Sequence, residues 1–474
     1  MSDLLLALFL PPALGIAWLS RYWKNAHWAA VAGYGYLLGI FATTLFMRLW
    51  DASDLELSFH PLAAILGALT LAALWKRPGS HPLPPEQIIR SRFRSAWEKG
   101  LFWLLAGLLL LQFGGILLEI IWRPLFPWDA WMNWAPKARV WFESRELLPW
   151  VSRADWLHLA PDELAYTLGN PKASLYPPLV PLVQTWMALG LNEWNDSLIN
   201  LPWWFCSLAL GMGLYGQARN AGISPLYSMV LVFGLLSMPY LGTHTALAGY
   251  ADLWLSAFFG LAAVAFFLWV ETRNPLQLAL AVLLAIGCTQ IKVPGIVWAA
   301  LLVPAWLTAT APRTSIITMM AAILFLAWAW ISGGISIDLP LAGTLVISPQ
   351  RVTVPGIDSF AVEYHPVWQA FWKHYLVRDN WHLFAWIFPL AVAYAALSNR
   401  FSPRLLPATV LVAEAFLFLF ITFFFTYHYA AALDGTTINR ATLHMMPMLF
   451  FYLLLLFRQK GMQDSSGLED SRNR

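Results

Sequence analysis

The segment 127–142 reads Pro-Trp-Asp-Ala-Trp-Met-Asn-Trp-Ala-Pro-Lys-Ala-Arg-Val-Trp-Phe, and its residue types separate on a helical projection. Asp129, Asn133 and Lys137 recur at i, i+4 and i+8 on one side, while Trp131, Trp134, Ala138, Trp141 and Phe142 line the other. A carboxylate and an ammonium on one face are the groups that accept a proton and hold an anion. Such a helix, kinked at Pro136, is expected to lie in a membrane interface, its aromatic stripe among the headgroups and its polar side facing a cavity. An aromatic anchor belt explains the tryptophans alone. It does not explain Asp129, a carboxylate between Trp128 and Trp131 soon after an apolar run, which is costly there unless it is used.

Other ionisable residues stand at the ends of apolar runs. Asp252 closes Gly249-Tyr250-Ala251-Asp252 and is read either as a site acid or as the N-cap of the helix that follows. Lys292 lies in Gln290-Ile-Lys-Val-Pro-Gly295, at a bend between two helices, and Arg440 opens the last apolar run in a stretch that also holds Asn439 and His444. Lys172 belongs to the stretch 170–183, which is marked by Pro177, Pro178 and Pro181. A lone histidine near a helix end is ordinarily a hydrogen-bonded structural residue, and that reading stands beside the functional one for His244, His428 and His444.

The elements that must position these groups are membrane helices. The chain of 474 residues is 59% hydrophobic and 12% charged, with a mean hydropathy of +0.59, which excludes an ordinary soluble domain. Runs such as 101–121 and 405–426 are long enough at 1.5 Å per residue to cross roughly 30 Å of hydrocarbon, and no ten-residue alternation suggests a barrel. The expected fold is an all-α polytopic bundle of about 13 spans, near 4–20, 28–48, 58–75, 101–121, 197–217, 225–241, 249–270, 275–290, 294–310, 314–333, 380–398, 405–427 and 441–457. The transmembrane domain then covers 1–458, followed by a cytoplasmic tail over 459–474, and the first span reads as retained rather than cleaved. Cys206 and Cys288, the only cysteines, each sit inside an apolar run, so neither a disulfide nor a metal framework follows.

Arginine and lysine set the orientation. Arg21, Lys24, Lys76, Arg77, Arg90, Arg92, Arg94, Lys99, Arg219, Arg273, Arg313, Arg400, Arg404, Arg458 and Lys460 fall on one face, which is therefore cytoplasmic. That count requires 177–192 to be an interfacial or re-entrant helix. Two long loops, near 122–196 and 334–379, then lie outside the cytoplasm, and their richness in Trp, Phe and Tyr predicts folded structure. The net charge of +3 reports this orientation and calls for no nucleic acid.

An Asp early in the first large external loop, followed by W-x-x-K-A at Trp134–Ala138, resembles the GT-C superfamily of membrane glycosyltransferases. The proline-marked Tyr176-Pro-Pro-Leu179, the Gly249–Asp252 and Gln290–Gly295 motifs, and Asn439–Pro447 opening the last span are similar to pieces of such enzymes, in the same order and at the same face. Three spans precede the signature loop, and no paired-acid motif stands in it. The resemblance implies transfer of a sugar from a polyprenyl-phosphate donor to a glycan, lipid or protein acceptor at the extracytoplasmic face, with inversion, in a bacterial inner membrane. It implies Asp129 as general base, Asp252 as second acid or sugar ligand, and Lys292 and Arg440 converging on the donor phosphate. Lys137 and Lys172 are further cations for the same work, with His244 and His444 near the substrate. No cofactor follows, though a divalent metal is compatible. In the second loop Asp358, Glu363, His365, Lys373, His374, Arg378 and Asp379, set around Trp368 and Trp372, suit an acceptor wall of stacking rings, with an interface belt as the plain alternative. The rival readings are a polytopic transporter or flippase of a lipid-linked or small polar substrate, a structural or assembly subunit, and an O-antigen ligase or polymerase.

Overall fold

A computed structural model describes residues 2–75, 93–170, 173–340, 343–355 and 358–458. Lys172, the basic residues Lys76, Arg77, Arg90 and Arg92, and the tail 459–474 lie outside the described residues. The chain divides into two compact units, residues 1–269 with 273–295, and residues 270–272 with 296–474.

The first unit holds α1 (Ser2–Tyr22), α2 (Trp28–Asp51), α3 (Phe59–Trp75), α4 (Ala96–Trp122), α5 (Ala135–Ser144), α6 (Arg153–Trp156), α7 (Leu179–Leu191), α8 (Leu201–Asn220), α9 (Pro225–Leu236), α10 (Pro239–Ala246), most of α11 (Asp252–Thr272) and α12 (Pro275–Thr289). Apolar runs with no water to satisfy their backbone close their hydrogen bonds internally, so these segments are helical. Their ends follow the local chemistry. Ser95 accepts from the Glu98 backbone N–H while the Glu98 carboxylate accepts from the Arg94 backbone N–H just ahead of the cap, and Asn274 caps α12 ahead of Pro275.

The second unit holds α13 (Pro294–Ala300, from Ile296 on), α14 (Leu302–Thr310), α15 (Pro312–Ile331), a four-stranded sheet, α16 (Trp368–Trp372), α17 (Phe384–Leu397), α18 (Leu406–Phe425), α19 (Tyr429–Leu433) and α20 (Thr436–Arg458). The sheet is an antiparallel meander, β1 (Ile335–Leu339), β2 (Gly343–Ile347), β3 (Arg351–Val354) and β4 (Asp358–Ala361). It corrects the expectation of an all-α fold. The cause is local: the strands carry Ile335 and Ile337, Leu345 and Ile347, and Val352 and Val354 at alternate positions, an apolar and mainly β-branched alternation that suits a half-buried sheet. The protein is otherwise mostly helical.

Among the described residues eight helices are long and apolar enough to cross a membrane, and α9 with α10, bent by 66° at their junction, would make a ninth span. Four expected spans, near 58–75, 275–290, 294–310 and 380–398, are shorter apolar helices of 14–17 residues, the third of them interrupted at Leu301. At 1.5 Å per residue they reach about 21–26 Å, less than a full hydrocarbon layer. Little of α4 and α15 is buried, and side chains such as Leu110, Leu111, Ile317 and Leu324 face outward as on a lipid-facing helix. These features are those of a multi-pass membrane protein.

The expected interfacial helix at 177–192 is α7, and residues 179–190 are all buried. It packs on α1 and α5, and Trp186 donates to the Ala7 carbonyl at 2.8 Å. At 13 residues it is too short to span. It is an interior helix of the first unit.

Candidate functional site

Asp129 sits at the entrance of a π-helical turn, Ala130–Trp134, that runs into α5. Pro136 has no N–H to give, and a wide turn ahead of it, closed by the Ala135 N–H on the Ala130 carbonyl, takes up the mismatch that a regular helix would meet. Asp129 is half-buried and makes no capping hydrogen bond to the turn that follows.

The aromatic stripe is not in the headgroup layer. Trp134, Ala138, Trp141 and Phe142 are buried in protein, and of the expected stripe only Trp131 is exposed. The polar face is buried too, because the chain after α5 folds back over it. Trp141 donates to the Leu148 carbonyl, Trp134 stacks on Tyr176 with ring centres 5.1 Å apart, and Asn170 donates to Asn133. Lys137, 2% exposed, donates to the carbonyls of Ser174 (2.7 Å) and Tyr176 (3.1 Å). Its ammonium pins the Tyr176-Pro-Pro turn to α5, and burial pushes its pKa down from 10.5 to about 7. The expected assignment to a phosphate therefore competes with two hydrogen bonds already made inside the loop.

Asp252 and Lys292 form an ion pair, Nζ to Oδ1 at 2.9 Å, with side chains 1% and 14% exposed. Ala251 occupies the N-cap of α11, so Asp252 is the first helical residue and does not cap. Its negative charge suits the positive end of the helix. Lys292 lies in the break between α12 and α13, where Pro294 cannot continue the first helix.

Two contacts tie this pair to the first loop. Gly249, at φ +107°, lies against Ala130, and a side chain there would bring its Cβ within 2.6 Å of the Ala130 Cβ. Gln290, two residues before Lys292, accepts the Leu179 N–H on its backbone carbonyl (3.0 Å) and Arg48 Nη1 on its side chain (2.9 Å). The ends of α2, α11 and α12, the start of α7 and the turn that carries Asp129 thus meet at one end of the first unit. Arg48, Leu179 and Gln290 border a shallow, closely packed recess, and Arg123, Phe126, Pro127, Asn200 and Ala248 line another with space for about one water molecule. Sequence reasoning missed Arg48. Its signal was the one used for Lys292, a cation near the end of a span.

His244 is buried between Tyr240 and Tyr250, with ring centres 4.7 and 5.1 Å away. It belongs to the first unit beside the Gly249 turn. In the second unit, Arg440 lies in the first turns of α20, half-buried, and His444 one turn later is buried with its ring edge-on to Trp298. The second loop fixes that helix start: Trp381 donates to Asn439 (3.2 Å), Asn439 approaches His374 (3.4 Å), and Tyr375 shares a short hydrogen bond with Thr442. Burial, with Arg378 and Lys373 nearby, holds the His374 imidazole below its ordinary pKa. Asp358 accepts from Tyr427, and His365 stacks on Tyr429. Trp368 and Trp372 remain more than half exposed. Among the described residues no group of three or more His, Cys, Asp or Glu could hold a metal ion.

No protein family, curated protein or solved structure matches this chain.

Proposed function

We propose that this protein is a membrane glycosyltransferase of the GT-C kind, moving a sugar from a polyprenyl-phosphate donor to an acceptor hydroxyl at the extracytoplasmic face. The observation that supports it most is the contact of Gly249 with Ala130, which packs the turn carrying Asp129 against the turn that leads into the buried Asp252–Lys292 pair. A proton acceptor and a cation able to hold an anion are the two groups that such a transfer needs.

In this reading the acceptor oxygen attacks the anomeric carbon from the side opposite the phosphate. The new C–O bond forms as the bond to the phosphate oxygen breaks, Asp129 takes the hydroxyl proton, and polyprenyl phosphate leaves with the bonding electron pair. Lys292 holds the phosphate oxygens, and Asp252 orients Lys292 rather than acting as a second base. Arg440, in the second unit, carries the guanidinium fork that binds phosphate in bidentate fashion. The exposed rings of the second loop suit a sugar-bearing acceptor. The full topology in this reading has about thirteen membrane segments, both long loops outside and the tail in the cytoplasm of a bacterial inner membrane.

The experiment is donor turnover by the purified protein in vesicles. Synthetic polyprenyl-phosphate sugars are supplied, and release of polyprenyl phosphate is followed with and without glycan, lipid or peptide acceptors. Release that depends on an acceptor supports the proposal. A carrier is the second reading, favoured by the 66° bend between α9 and α10 and by a buried ion pair beside a helix break. Movement of intact lipid-linked sugar across the vesicle without bond cleavage would establish the carrier instead.

A further inference from the structure

Asn439, in the first turns of α20, is buried, and three groups share its side-chain amide. The Trp381 indole donates to Oδ1 (3.2 Å), while Nδ2 donates to the Gly435 carbonyl (3.1 Å) and approaches His374 Nδ1 at 3.4 Å. An indole N–H can only donate, so the amide oxygen has to face Trp381 and the NH2 group has to face the imidazole. His374 Nδ1 is thereby an acceptor. The ring is neutral with its proton on Nε2; the Leu433 carbonyl is on offer to the ring, and Nε2 makes no close hydrogen bond.

The ring cannot turn away from this arrangement. His374 is buried in a π-helical turn, Lys373–Val377, and Gly435, at φ +80°, lies so close that a Cβ there would fall on the imidazole. A second proton, on Nδ1, would set an N–H against the Asn439 NH2. The charged groups that face the ring are Lys373 and Arg378 on its own segment, which oppose a cation, and Asp434 at the end of α19, which favours one. Asp434 already accepts from the Thr436 N–H and hydroxyl. α16 and the first turns of α17 carry no titratable residue, and α20 meets the segment through Asn439 and through Thr442, which is hydrogen-bonded to Tyr375.

We infer that His374 and Asn439 form an acid-released latch, which holds the segment 373–381 on the start of α20 while the imidazole is neutral and frees it when the ring takes a second proton. A released imidazole, away from the amide, titrates near its ordinary value of about 6.5. The released form therefore binds more protons than the latched form below that pH, and acid favours release. Arg440 follows Asn439 in the chain, so the turn that carries it loosens with the latch. The device does not depend on the transfer reaction proposed above.

The test is deuterium exchange of the full chain in phosphatidylcholine nanodiscs, corrected for the pH dependence of intrinsic exchange and read over 373–381 and 436–442. From about pH 7.5 to about pH 5.5 protection should fall about tenfold, the change in the neutral fraction of a group that titrates near 6.5, while α18 stays constant. His374→Gln, whose amide oxygen can take the Asn439 donor without titrating, should hold protection constant. Asn439→Asp offers a carboxylate to an imidazolium and should reverse the direction, with protection rising on acidification. Asp434→Asn, which caps about as well, should leave the wild-type response intact. Constant protection in the unaltered chain overturns the latch, and so does an undiminished fall in His374→Gln. Loss of the response in Asp434→Asn would give the proton to Asp434 and overturn it, as would a fall of unchanged direction in Asn439→Asp.

Discussion

Asp252 and Lys292, forty positions apart in sequence, meet as an ion pair 2.9 Å long at the point where α11 begins and α12 breaks. Each is the counter-charge of the other, so neither can be altered alone without leaving a charge in a protein interior. Removing one partner of a buried pair costs about 3–5 kcal/mol, whereas replacing both by apolar groups of similar volume is often neutral. Asp252→Ala should therefore lower the melting temperature in detergent sharply, and Asp252→Leu with Lys292→Met should recover much of the loss. If the pair also serves the donor, the double variant stays folded and loses donor binding. Recovery of both stability and binding would reduce the pair to a structural one.

Gly249 holds the Asp252 turn against the Asp129 turn with a backbone angle of φ +107° and no room for a side chain. Gly249→Ala meets both obstacles, the backbone strain and the Ala130 Cβ, for a combined loss of about 2–4 kcal/mol. Ala130→Gly in the same chain should return the steric part and leave the backbone part. Thermal unfolding of the two variants measures the division. An unchanged melting temperature in Gly249→Ala would mean that the two turns do not press on one another.

Several of these contacts were beyond the sequence for physical reasons. The long apolar runs were legible because hydrocarbon demands length and low polarity in one stretch, and the prolines at 177, 178 and 181 mark where the short helix α7 begins. The aromatic stripe of 131–142 was misplaced because a tryptophan face suits a headgroup layer and a protein core equally, and only the fold-back of 145–178 decides between them. Lys137 read as a free cation for the same reason: its partners are backbone carbonyls, which no residue type reveals. The β-meander hid in a loop judged by its rings.

Lys137 makes the stability of the first loop depend on pH. Its folded pKa, about 7, lies below its ordinary 10.5, so between those values the unfolded chain binds more protons than the folded one. Stability thus rises with pH from about 7 upward, and the burial penalty is fully present below 7. Wild-type melting temperature should climb between about pH 7 and 9, and Lys137→Met should flatten that part of the curve. A slope unchanged in Lys137→Met would place the titration elsewhere.

The one-sided distribution of arginine and lysine carries the orientation of every site. Reporter fusions at Arg94, Asp155 and Arg458 should read inside, outside and inside. Position 155 lies in the loop that holds Lys137 and α7, so a cytoplasmic reading there would move the whole assembly to the other face and remove a polyprenyl-phosphate donor presented from outside.

Asp129 bears the chemical step, and its neighbours sharpen the forecast. It is half-buried, it does not cap the turn it opens, and Gly249 packs on the next residue of that turn, Ala130. Asp129→Asn keeps size and most hydrogen bonding while removing proton acceptance, so the fold should tolerate it within a few tenths of a kcal/mol, the usual range for a substitution away from core and caps. Transfer to the acceptor should fall by about 10²–10⁴, the loss expected when a general base is deleted. Donor binding should persist, because no phosphate contact is assigned to this side chain. Measuring acceptor-dependent turnover, donor affinity and melting temperature on the one variant separates the cases. Normal turnover at normal stability would remove Asp129 as base and leave Asp252, freed from Lys292, as the acid to test next at this end of the first unit.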